Sequence, residues 1–252
     1  MKKIIFSLIV SLLIFGPTLA LAEANLDDVK SESDALQGYR QAVEDEVKIQ
    51  YLQKLGDLMI GQRIWSLALA KAKLDSAGGD SGVVGYLENQ FNDLKNLKEA
   101  IAGNNDLESL KAEVNSVVTD YQIYRVSLPQ AHGLLAVINL ENFSDEVGGF
   151  ADQIKSKTGE LEDLDLESVE ALLASAEEQV SAAKGYLKSA EKNLSRMEAD
   201  NLEAVAVLKK EAKSDINEAR AALKDAFKSL RLAVAEMKSL VADYNAPLEA
   251  EE

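Results

Sequence analysis

The chain has no cysteine, one histidine, one tryptophan and three prolines among its 252 residues. Without cysteine there is no disulfide, no thiolate nucleophile and no Cys-based zinc or iron–sulfur site. His132 is the only imidazole. It rules out paired His ligands and leaves one group for acid–base work, with no carboxylate partner in view. A lone histidine beside a proline reads as a local hydrogen-bonding group. Glu-x-x-His pairs of the di-iron type are missing, and so is a glycine-rich phosphate loop. Gly79-Asp80-Ser81-Gly82 has four letters seen around the nucleophile of chymotrypsin-like proteases, but that chemistry needs a β-barrel frame and a histidine base. The segment reads as a helix–helix loop. Basic charge is also short: 27 Lys and Arg stand against 43 Asp and Glu. That excludes nucleic acid or an anionic membrane surface as an expected partner, since both need an excess of cations.

What is present begins at the N-terminus. Lys2 and Lys3 precede an apolar run from Ile4 to Phe15, then Gly16-Pro17 and the small-x-small site Ala20-Leu21-Ala22. This is the pattern of a secretory signal peptide. The run is short of the ~20 residues of a membrane span. Cleavage is expected after Ala22, with Ala22-Glu23-Ala24 as the alternative site. No cysteine follows the run, which excludes lipoprotein-type lipid attachment. No second apolar segment is seen, so no integral membrane anchor is expected after cleavage. Loss of Lys2 and Lys3 takes the net charge from −16 to −18. An exported chain without disulfides must be held by packing alone.

Residues 26–76 read as one long helix, with Leu36, Val43, Val47, Tyr51, Leu55, Leu58, Trp65, Leu69 and Ala72 on its apolar face. Gly56 and Gly61 make a break there an option. Gly78 to Gly82 is the clearest linker. A second helix is expected over about 84–102, with Leu87, Phe91, Leu94 and Ile101 inward, ended by Gly103-Asn104-Asn105. Asp106 suits an N-cap, and Glu108 suits the positive end of the following helix. Leu107, Leu110, Val114, Val117, Tyr121, Tyr124 and Leu128 form a stripe that continues through Ala131, Leu135 and Ile138. The continued register predicts a single central helix that bends at Pro129, with Gly133 easing the bend. The alternative is that Pro129 opens a separate helix in its first turn. A short helix is expected around Phe143, Val147, Phe150 and Ile154, and 159–165 is an acidic joint.

The last third is rich in alanine. Val169, Leu173, Ala176, Val180, Ala183, Leu187, Ala190, Leu194 and Met197 make one heptad stripe. Ala212, Ile216, Ala219, Leu223, Ala226, Leu230, Ala233, Met237, Leu240 and Tyr244 make another. The two are out of phase, which predicts an antiparallel hairpin turning at Asp200-Asn201-Leu202-Glu203, a capping-box variant. Charge order predicts facing pairs: Arg196 with Glu203, Lys188 with Glu211, Lys184 with Asp215, and Glu170 with Lys228 and Arg231. The hairpin is thin enough to call for a third helix.

The carboxylates Glu160, Glu162, Asp163, Asp165 and Glu167 lack the glycine and terminal glutamate of an EF-hand loop and serve equally as helix N-terminal charge. Tyr121 and Tyr124 are expected in the core. Asn142-Phe143-Ser144 and Asn193-Leu194-Ser195 match the glycosylation sequon by chance in a chain with a bacterial-looking signal.

Leu94, Leu97, Lys98 and Ile101, then Asp106-Leu107 with Leu110-Lys111, then Asp120-Tyr121, Tyr124-Arg125 and Leu128-Pro129 form a stretch that resembles a group of uncharacterised exported helical proteins of bacteria. The resemblance covers 87–129. It implies an exported helical bundle and brings no activity or site residue with it.

The expectation is an all-α, elongated antiparallel helical bundle with long heptad-patterned helices. Residues 1–22 are the signal peptide, 23–159 an N-terminal helical bundle with a Pro129-kinked central helix, and 160–252 a C-terminal coiled-coil hairpin with an acidic tail. No catalytic, cofactor-binding or metal-ligating residue is assigned. The expected role is non-enzymatic, a structural or interaction protein of the cell envelope or extracellular space. It would engage a protein or envelope partner, or a second copy, through helix faces. The alternative is an exported binding or chaperone-like protein holding a peptide or apolar ligand between helices.

Overall fold

A computed structural model describes residue 26 and residues 29–79, 81–161, 164–198 and 200–249, with side chains to 244. The expected signal peptide lies outside the described residues. The described chain is all-α, with helices α1 (Glu32–Gln41), α2 (Asp45–Ser76), α3 (Ser81–Gly103), α4 (Leu107–Thr119), α5 (Ser127–Thr158), α6 (Glu167–Ser195) and α7 (Leu202–Glu249). It divides into two compact units, residues 1–71 with 85–127, and residues 72–84 with 128–252. One division falls after the first residue of α5, between Ser127 and Leu128, so the acidic joint lies inside the second unit.

In the first unit, the single helix expected over 26–76 is two helices. Ser31 opens α1 with a capping box: its hydroxyl accepts from the Asp34 N–H and its N–H donates to the Asp34 carboxylate, both at 3.1 Å. Ala42 leaves the helix in an extended conformation (ψ 133°). Gly38 packs against the Tyr51 ring of α2, leaving no room for a side chain. α2 runs unbroken through Gly56 and Gly61. Gly56 is a packing site rather than a break: a methyl group on it would stand 2.9 Å from Ile101 of α3 and 3.3 Å from Val114 of α4. The buried stripe of α2 is Leu52, Leu55, Met59, Arg63, Leu67, Ala70 and Leu74. Tyr51 and Leu55 of the expected face are buried, but Trp65 and Leu69 are exposed, as is Val43 ahead of the helix, which corrects that face in its later half. α2 and α3 are tied by Lys98–Asp57 at 2.7 Å and Lys71–Glu88 at 2.6 Å. Leu87, Leu94 and Ile101 of α3 are fully buried, on the expected face. Asp106 caps α4, accepting from the Ser109 N–H at 2.7 Å.

The kinked central helix is also corrected. α4 stops at Thr119, and 120–126 is a turn with Gln122 in the left-handed region (φ 44°). α5 starts anew at Ser127, so Pro129 sits in a first turn, where its missing N–H has no intrahelical carbonyl to lose. Ile123 and Val126 are buried and hold the turn down. Ser127 adds a tie, its hydroxyl donating to the Gln90 side chain at 2.6 Å.

In the second unit, the end of α2 is closed by a Schellman motif. Gly78 has φ 75°, Gly79 N–H reaches the Leu74 carbonyl at 2.8 Å, and Gly78 N–H reaches that of Asp75 at 3.1 Å. The expected short helix around Phe143–Ile154 belongs to the 32-residue α5. All nine stripe residues from Val169 to Met197 are buried, as are Ala212 to Ala233 of the second stripe. Asn201, one residue later than expected, caps α7 by accepting from the Ala204 N–H at 3.1 Å.

α6 and α7 run in opposite directions, with Asn193 within 3.5 Å of Asp215 and Ser168 within 3.4 Å of Glu236. This register overturns the expected charge pairs. Asn193, not Lys184, reaches Asp215. The ion pairs of α6 go to α5 instead, Lys184–Asp145 at 2.8 Å and Glu177–Lys155 at 2.9 Å. α5 thus lies beside α6 along these pairs. Phe150 on α5 meets Phe227 on α7 with ring centroids 6.5 Å apart.

Candidate functional site

Two concave places on the described surface carry side chains of interest, one in each unit. In the first unit, Arg63 lies on the buried stripe of α2 at 8% exposure. Its Nη1 donates to the Met59 carbonyl at 2.8 Å, and its guanidinium carbon stands 5.1 Å from the centroid of the Tyr124 ring. No ion pair to Arg63 forms among the described residues. Tyr124 is 48% exposed and Trp65 68%. This corrects the expectation that Tyr124 belongs to the core. Its stripe position assumed a continuous helix, and the turn at 120–126 swings it outward. Tyr121 is half-buried, and burial first, then Asp93 and Asp120, push its phenol above the ordinary value. Gln122 holds the turn by donating to the carbonyls of Thr119 and Val118 at the end of α4. The result is an open notch of about 490 Å³ walled by Trp65 and Tyr124 and floored by Gly61, Gln62 and Ser66. Aromatic faces over hydrogen-bonding groups suit contact with a partner.

In the second unit, α7 passes the end of α5 and leaves a groove of about 370 Å³. Phe150, Ile154, Leu161, Val234 and Met237 supply its apolar walls, and Gln153, Lys157, Glu160 and Lys238 its rim. Lys157 Nζ is 2.9 Å from both oxygens of Glu160. Sequence patterning named Phe150, Ile154 and Met237 as apolar-face residues. It did not bring them together, because the pairing of α5 with α7 is long-range.

His132 is exposed on α5 in the second unit, whereas Tyr124 and Arg125 belong to the first. In the acidic joint, Glu162 and Asp163 lie outside the described residues. Among the described residues no group of three or more His, Asp or Glu side chains could hold a metal ion. None of the described helices is long and apolar enough to cross a membrane.

Arg63 is the functional-looking residue that sequence reasoning missed. The spacing of Leu52, Leu55, Met59, Leu67, Ala70 and Leu74 passes straight through it, and arginine buries its aliphatic stem readily. The expected stripe ran through Trp65 instead. Comparison with known proteins adds no assignment: no family model, curated protein or solved structure matches the chain.

Proposed function

We propose that this chain is an exported, non-enzymatic helical protein that works through its helix faces, as a structural or interaction component of the cell envelope or extracellular space. The N-terminal pattern of charge, apolar run and small-residue site supports export. The observation that carries the interaction role is the pair Trp65 and Tyr124, two large aromatics presented to solvent across one notch on a helical frame. Such side chains are enriched where proteins meet. Within this reading α6 and α7 are an antiparallel coiled-coil hairpin in a helical bundle, supported by their alternating alanine and larger stripe residues. The proteins resembled over 87–129 fit the same role.

The test is cosedimentation of the purified mature chain with isolated envelopes of its source cell. Saturable binding that survives moderate salt and weakens in Trp65→Ala is the expected result. No binding, or binding indifferent to Trp65→Ala, overturns the interaction face.

A second reading is favoured by the groove of the second unit: an exported carrier holding an apolar ligand between helices. Saturable uptake of an apolar dye by the folded chain is its expected signature, and lack of uptake refutes it.

A further inference from the structure

The groove between α5 and α7 has a cause in helix length. Ser168, in the first turn of α6, is level with Glu236 of α7. α5 ends at Thr158, yet α7 continues to Glu249. Past Met237 the inner face of α7 therefore runs beyond the starting end of α6. Val234 and Met237 are only half-buried, while Ala233, one turn before Met237, is fully buried. Ile154 is buried beneath, and Phe150 meets Phe227 in a tilted ring contact.

The rim has a definite charge. Lys157 and Glu160 satisfy each other at 2.9 Å. Lys238 has no ion partner among the described residues. Among the described residues one unpaired ammonium thus stands at the rim of an apolar slot, on a chain of net charge −16. A positively charged occupant is disfavoured by Lys238, and a polyanion finds one free cation among the described residues. The complement is one negative charge on an apolar body. A volume of about 370 Å³ falls at the small-ligand end of the ordinary range of ~300–1,000 Å³.

We propose that this groove binds a single-headed amphiphile, an alkyl chain bearing one carboxylate, with the chain along Phe150, Ile154, Val234 and Met237 and the carboxylate on the Lys238 ammonium. This rests on the carrier reading of the chain and names its ligand class. Gln153 at the rim gives the carboxylate a side-chain amide as a second polar neighbour.

The experiment is calorimetric titration of the full mature chain with dodecanoate and with dodecanol, in the parent, in Lys238→Gln and in Met237→Glu. Lys238 is exposed and Met237 half-buried, so both variants should keep the parent melting curve, checked by circular dichroism. Dodecanoate should saturate one site per chain, and dodecanol should bind about tenfold more weakly, the effect of one charge-assisted contact. Lys238→Gln should weaken dodecanoate by a similar factor and leave dodecanol unchanged, and Met237→Glu should abolish both. Equal affinity for the two probes, or indifference to Lys238→Gln, overturns the assignment of the head group. Dye uptake that Met237→Glu leaves intact keeps the carrier reading and removes this site, whereas no uptake of dye or dodecanoate removes both. A parent dimer that Met237→Glu turns to monomer makes the groove an interface between copies and overturns the amphiphile.

Discussion

The side-chain amide of Gln130, in the first turn of α5, donates to the backbone carbonyl of Leu194 at 2.9 Å. Leu194 lies in the last turn of α6, where its carbonyl also accepts from the Met197 N–H at 3.1 Å as the helix closes. Both groups are buried, so the bond closes one helix end with the start of another. Gln130→Ala removes this bond and leaves the carbonyl its backbone partner, the Met197 N–H at 3.1 Å. The expected loss is about 0.5–1.5 kcal/mol of stability, read as a lower urea midpoint with an unchanged slope.

Two glycines of the second unit should respond to alanine with opposite signs. At Gly133 a methyl group would stand 2.6 Å from Cδ2 of Leu194, which is itself buried. Gly133→Ala should cost about 1–3 kcal/mol through overpacking. Gly185 sits within α6 with nothing within 4 Å of the same position. Gly185→Ala should stabilise by about 0.5–1 kcal/mol through helix propensity alone. Thermal melts of the two variants check the pair.

Glu141 on α5 gives a pH signature. Partial burial first, then the carboxylates of Glu191 and Asp145, push its carboxyl above the ordinary value of 4.5, while Lys184 opposes them. A carboxyl raised in the fold binds its proton more readily there than in the unfolded chain, so its contribution to stability grows as pH falls through the raised value. Above that value the ionised group is a liability. Glu141→Gln should therefore melt higher than the parent at neutral pH, with the advantage shrinking as pH drops toward 4.5. An advantage that stays constant over that window would refute the coupling.

Trp65 is the sole tryptophan, so the intrinsic fluorescence of the chain reports one position. At 68% exposure its emission should lie near that of the free amino acid and be quenched readily by iodide. Trp65→Ala should change stability within about ±0.5 kcal/mol, as for a surface position. A blue-shifted, protected emission would return Trp65 to the core face first expected from the stripe.

Much of the helical content was legible in the amino-acid order, because a helix end is a local event. The cap at Asp106, the stop at Gly103 and the stripe from Val169 to Met197 all depend on residues within a turn or two of one another. The helix breaks at Ala42 and Gln122 were not legible. Each has a distant partner or a buried turn beside it: the Tyr51 ring against Gly38, and Ile123 and Val126 beneath the loop. Neither candidate site was visible either. The notch depends on Tyr124 being swung out by the turn, and the groove on α7 outrunning α5 and α6.

The amino-acid order by itself determined that the chain is helical, which stripes of α6 and α7 are buried, and where α4 begins. Periodicity and capping are properties of the chain read along its length. Tertiary structure alone decided the register of α6 against α7, the placing of α5 beside α6, and the choice of Arg63 over Trp65 for burial. An alanine-rich stripe fits several registers about equally well, and exposed charge pairs worth under about 1 kcal/mol each do not select one. The contacts of Leu194 with Gln130 and Gly133 tie α5 to α6 through partners 64 and 61 residues away in the chain, beyond the reach of any local pattern.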